Sequence, residues 1–155
     1  MSNQGYFKQN MSRSPTTAGT YTAISGSAPQ SVTGNSISIP NPLAGSGNAI
    51  APGTLSALVV ANITANSMTI TGKWQVSADG STWYNCANAP QNPTAVTILT
   101  GTGTLATTSV VVPAPDSVYG WSKARFVLTT AAASGGGAGV DEAAISYNYR
   151  VAPAR

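Results

Sequence analysis

Histidine is missing from the 155 residues, cysteine occurs once, and only 7% of residues are charged. Each shortage excludes something. Without histidine there is no Ser–His or Cys–His nucleophile, and the commonest metal ligand is gone. A single thiol, Cys86, can form neither an intrachain disulfide nor an all-thiolate zinc site. No cation neighbours it in sequence, so it reads as a small buried hydrophobe rather than a reactive thiol. The acids are only Asp79, Asp116, Asp141 and Glu142. Asp79 belongs to a turn, and Asp116 follows Pro113-Ala114-Pro115. Asp141 and Glu142 are adjacent, so on a strand they point to opposite faces. Asp116 with Glu142 is the one conceivable carboxylate pair, and the set of base, nucleophile and oxyanion donor stays unfilled. The glycine run at 134–139 lacks the Lys-Ser/Thr of a phosphate loop. The expectation is a protein that is not an enzyme and uses no metal and no cofactor.

Long hydrophobic runs are missing too. Nothing approaches the roughly 18 consecutive apolar residues of a membrane span, so no membrane partner is expected. The 7 cations give a net charge of +3 but form no cluster, and a nucleic-acid partner needs a basic patch or stripe. Residues 1–5 carry no charged region followed by an apolar run. That reads as no signal peptide and synthesis in a cytoplasm.

What the chain does have is Ser, Thr, Val and Ala, with Gly 16 and Pro 10 for turns. Thr and Val favour strands. Two regions differ. Residues 1–53 are rich in Ser, Thr, Asn, Gly and Pro, with scattered large apolar residues such as Tyr6, Phe7, Ile37 and Ile39. Alone this stretch could not bury enough to order itself. It reads as an extended N-terminal arm that orders against a neighbour through those four side chains. Residues 54–155 read as a β-domain.

Within the β-domain the apolar residues alternate. Residues 55–63 form one strand. From Met68, Ile70, Gly72, Trp74 and Val76 share one face, and Thr69, Thr71, Lys73 and Gln75 the other. Asp79-Gly80 marks a hairpin. With a two-residue loop, Val76 faces Trp83, both indoles enter one core, and Tyr84 points outward. A loop one residue longer exchanges the faces. Further strands are expected at 95–99, 105–112, 119–130 and 144–151, the last with Ile145, Tyr147, Tyr149 and Val151 inward. This spacing predicts an antiparallel β-sandwich, jelly-roll or immunoglobulin-like, after the arm.

The candidate binding stripe is Tyr119, Trp121, Lys123 and Arg125. By parity they share the face opposite Phe126 and Leu128, and Trp, Tyr and Arg are the residues enriched at interface hot spots. A bulge at Gly120 would turn Trp121 inward instead, and parity alone does not choose.

The stretches KWQVSADGSTWYNC and GVDEAAISYNYRVAPAR resemble structural proteins of tailed bacteriophages, above all capsid decoration or cement proteins. The resemblance runs over about residues 68–150. It implies a β-sandwich, commonly a homotrimer, on the outside of a virion head. There it would bind the major capsid protein and clamp neighbouring subunits. A carbohydrate- or receptor-binding module, or a tail or neck protein, are the other readings. For the carbohydrate module, solvent-facing Trp121 and Tyr84 would stack on sugars.

Overall fold

The computed structural model describes residues 22–23, 31–39, 48–51, 53–63, 68–86, 95–102, 104, 106–130, 142–149 and 151–153. These residues form an all-β sandwich. One sheet has the order β1 (Thr22–Ala23), β11 (Glu142–Asn148), β5 (Ser56–Ile63), β9 (Ala106–Pro113). Facing it, β10 (Lys123–Thr130) and β6 (Thr69–Ser77) pair at the centre of a second sheet. Along the outer edge of β10 run β2 (Ser31–Thr33) and β3 (Ile37–Ser38); along that of β6 run β7 (Tyr84–Asn85) and β8 (Val96–Thr100). A separate ribbon pairs β4 (Asn48–Ile50) with β12 (Val151–Pro153).

Period-two alternation places the core as expected. Ala57, Val59, Ala61 and Ile63 of β5 are buried, as are Ile70, Gly72, Trp74 and Val76 of β6. Ala124, Phe126 and Leu128 of β10 meet them, with Ala143, Ile145 and Tyr147 of β11 from the opposite sheet. Trp74 is the hub. Its ring lies edge-on to Phe126 at 5.3 Å and tilted to Tyr147 at 5.8 Å. Its indole N–H donates to the Pro113 carbonyl at 3.2 Å, so the one polar atom is satisfied. Gly72 makes room for this packing, because a Cβ there would collide with the Phe126 ring.

Tyr147 ties the sheets together. Its hydroxyl accepts the Phe126 N–H at 2.8 Å. That N–H lies beside the edge strand, whose Gly34 N–H donates to the Phe126 carbonyl at 2.9 Å. The strand cannot take both groups, and it bulges. Thr33 faces Val127 but Ile37 faces Ala124, one residue out of step. A Cβ on Gly34 would run into the Tyr147 hydroxyl, so glycine is required by close approach. Burial raises the Tyr147 pKa to about 12, which keeps the phenol neutral in the core.

Two expectations need correction. The strand expected over 119–130 begins only at Lys123, because Asp116–Gly120 is a 3-10 turn whose Val118 plugs the core. The expected closing strand divides. β11 ends at Asn148, and Val151 pairs with Ile50 in the separate ribbon. Most of the stretch read as an arm lies outside the described residues; its described residues include β1, β2, β3 and β4, each paired with a strand from the rest of this chain. Ile39 and Ile50 are buried in the same core as Trp74.

Candidate functional site

The site forms where β6, β7 and β10 meet, and the hairpin loop decides what it contains. Asp79 does not adopt a positive φ, since among the described residues only Gly53 and Gly80 do. The type I′ turn of a two-residue hairpin loop needs both central residues there, so it does not form. The side chain of Asp79 closes a wider loop. Its Oδ1 accepts the N–H groups of Ser81 and Thr82, both at 2.8 Å, and the Ser77 hydroxyl at 3.0 Å. Ser77 Oγ accepts the Gly80 N–H at 2.8 Å. The Thr82 and Ser81 N–H groups, then the Ser77 hydroxyl, hold the Asp79 pKa down at about 2.

The register follows from that loop. Val76 faces Tyr84, not Trp83, and Gln75 faces Asn85. The slip of one residue exchanges the faces. Trp74 stays in the core, but Trp83 emerges on the outer face, correcting the expectation that both indoles are buried together. There the Arg125 guanidinium lies 4.1 Å from the centre of the Trp83 ring. Arg125 Nε donates to Gln75 Oε1 at 2.9 Å, and Gln75 Nε2 donates to Asn85 Oδ1 at 3.0 Å. This row crosses three strands and holds the cation over the indole. Lys73 and Lys123 share the same outer face by parity.

Tyr84 takes the other side of the same edge strand, past the end of the core. It is 53% exposed and lies against Trp121, itself 37% exposed, with ring centres 5.7 Å apart and tilted by 35°. The short edge strand thus carries a cation–π pair on one side and an open aromatic pair on the other.

The residues expected at the site separate accordingly. Trp121, Lys123 and Arg125 lie at this edge. Tyr119 does not join them, because the 3-10 turn directs it to the core rim, where its hydroxyl accepts the Leu55 N–H at 3.0 Å. Ile39 is a core residue and Ile37 packs against the core. Tyr6 and Phe7 lie outside the described residues. Sequence parity missed Trp83 and Gln75. The signal was Ser77-Ala78-Asp79-Gly80-Ser81-Thr82, in which an aspartate followed by backbone donors marks an Asx turn.

Among the described residues no group of three or more His, Cys, Asp or Glu could hold a metal ion. Cys86 is buried, with its sulfur 3.0 Å from Ser117 Oγ. No helix of the described residues is long and apolar enough to cross a membrane. What the arrangement can do is present flat aromatic faces and a fixed guanidinium to a partner.

No protein-family model matches the sequence, and no curated protein matches it. The fold is similar to that of a chain in the structure of infectious bursal disease virus Gx strain, at 17% identity and a TM-score of 0.42. The match covers 83% of this chain and 28% of that one.

Proposed function

We propose that this chain is a structural protein of a virion that binds the outside of a phage capsid and holds neighbouring major capsid protein subunits together. The virion class is what the hairpin and closing-strand resemblance implies. The docking surface is the β6–β7–β10 edge, and the observation that carries it is the aromatic and cationic rim held there. Trp83 under Arg125 and the open Tyr84–Trp121 pair are the residue types that dominate interface energetics. Both pairs sit on a braced sheet, so little ordering is required when a partner arrives. Repetition over a symmetric shell multiplies weak single contacts into firm attachment.

The test is co-sedimentation of the purified chain with shells assembled from the major capsid protein. The native chain pellets with shells, and Tyr84→Ala/Trp121→Ala and Arg125→Ala chains stay in the supernatant while remaining folded. Failure of the native chain to pellet sinks the capsid reading. Localisation of the chain in a virion map separates a head protein from a tail or neck protein.

A second reading rests on the open pair alone. Two exposed rings tilted at 35° form a surface on which a sugar ring can stack, as in a carbohydrate-binding module. Titration with a glycan panel distinguishes it. Quenching or a shift of tryptophan emission that disappears in Trp121→Ala supports the module, and an unresponsive spectrum removes it.

A further inference from the structure

The four-stranded sheet ends on β9, and among the described residues no strand pairs with the side of β9 turned away from β5, where the Pro113 carbonyl accepts the Trp74 indole N–H at 3.2 Å. The backbone groups on that side follow from the ladder. The Ala114 N–H donates to the Leu55 carbonyl at 2.8 Å. From there the register runs unbroken from Ser56↔Pro113 to Ile63↔Ala106. Bonded and unbonded residues alternate along an antiparallel strand. Val112, Val110, Thr108 and Ala106 therefore bond to β5, and Thr107, Ser109 and Val111 turn their N–H and C=O outward. Pro113 falls in the outward set, where a strand proline is tolerated because its missing N–H costs no ladder bond.

Sheet edges in soluble proteins are blunted by charge, an internal proline, a bulge or a cover. β9 lacks charge, an internal proline and a bulge. ATTSVVVP has no charged side chain, its proline is the last residue, and it pairs with β5 without a bulge. Val111 is 62% exposed. Charge is absent from the neighbouring outer surface as well, where β5 presents Ser56, Leu58, Val60 and Asn62. Every described Lys or Arg (Lys73, Lys123, Arg125) lies on the other sheet.

We propose that β9 is an interface between two copies of this chain, which pair antiparallel about a two-fold axis at Ser109. The strand is its own complement in that register. Ser109 meets Ser109 of the second copy, Thr107 meets Val111, and Val111 meets Thr107. The outward groups of these residues supply about six main-chain hydrogen bonds. Thr108 meets Val110 on the other face, so β-branched side chains oppose one another on either side of the Ser109 axis. No like charges approach across the join. An isologous contact of this kind closes as a pair, not as the three-fold ring that the phage resemblance implies. It stands whether or not the chain belongs to a virion.

Sedimentation equilibrium of the full chain across the micromolar range tests it. The native chain is expected as a monomer–dimer equilibrium. Ser109→Lys and Ser109→Glu each place like charges directly opposite on the axis and weaken self-association about tenfold. An equimolar mixture of the two variants restores the dimer, because opposite charges now meet. Both variants keep native tryptophan emission from Trp74, since position 109 is exposed. A native chain that is monomeric throughout the range, or trimeric, overturns the proposal. So does a dimer unaffected by either substitution, or a mixture that associates no better than its components.

Discussion

The inner and outer faces of the β6–β10 pair use the same two strands for opposite ends. Inward, Trp74, Phe126 and Leu128 pack around Gly72 and against Tyr147 of the facing sheet. Outward, Gln75, Lys123 and Arg125 stand beside Trp83. The two tryptophans of one hairpin thus serve different ends. Trp74 joins two sheets and has its N–H satisfied; Trp83 is half-buried beneath a cation. Residue type does not assign a tryptophan its role. The face on which the register leaves it does.

Substitutions on the two faces sharpen that contrast. Trp74→Ala removes a fully buried ring and should cost about 3–5 kcal/mol in urea unfolding. If Trp83→Ala cost as much, the division between faces would collapse. Next in size is Tyr147→Phe, which strands the Phe126 N–H in the core and should cost about 1–3 kcal/mol. The same tyrosine sets a pH dependence. Its folded pKa is raised from 10.0 to about 12, so the folded chain holds the phenolic proton more tightly than the unfolded chain. The contribution is fully present below pH 10.0 and is lost as pH rises toward about 12. Thermal melts across that window should fall less steeply for Tyr147→Phe.

On the outer face, Arg125→Ala should cost about 0.5–1 kcal/mol of stability. Its larger effect should be on shell binding. The smallest effect belongs to the loop. Asp79 has a lowered pKa, about 2 against 3.8, so its contribution is present above pH 3.8 and lost as pH falls toward about 2. Asp79→Asn should flatten the acid limb of a melting curve while leaving neutral-pH binding unchanged. A persistent acid limb would assign that dependence to other groups.

Much of the fold was legible from alternation. The existence of β5, the inward sets of β6 and β10 and the start of β11 could be read because period two is a local property of the chain. The breaks were not legible. Asp116–Gly120 carries the apolar spacing of a strand, but Val118 is needed as a core plug, so the chain turns there. Ile37 and Ile39 lie among prolines and small polar residues, and a local window contains nothing of the β10 edge on which they dock. Of the candidate site, Trp121, Lys123 and Arg125 were legible as a group. Trp83 was not, because its face depends on one residue of loop length.

By itself the sequence determined the class of the protein. Two-residue periodicity, few charges and many Thr and Val residues make a strand-built chain with a Trp74-centred inner face, since those features act residue by residue. Tertiary structure decided which aromatic residues reach solvent. The Asp79 carboxylate gathers the Ser81 and Thr82 N–H groups and so sets the β6–β7 register. The Tyr147 hydroxyl takes a backbone donor from the opposite sheet and so bulges the edge strand at Gly34. Both are hydrogen bonds between groups that alternation leaves unassigned, and each shifts a strand by one residue, the smallest step that changes what the surface presents.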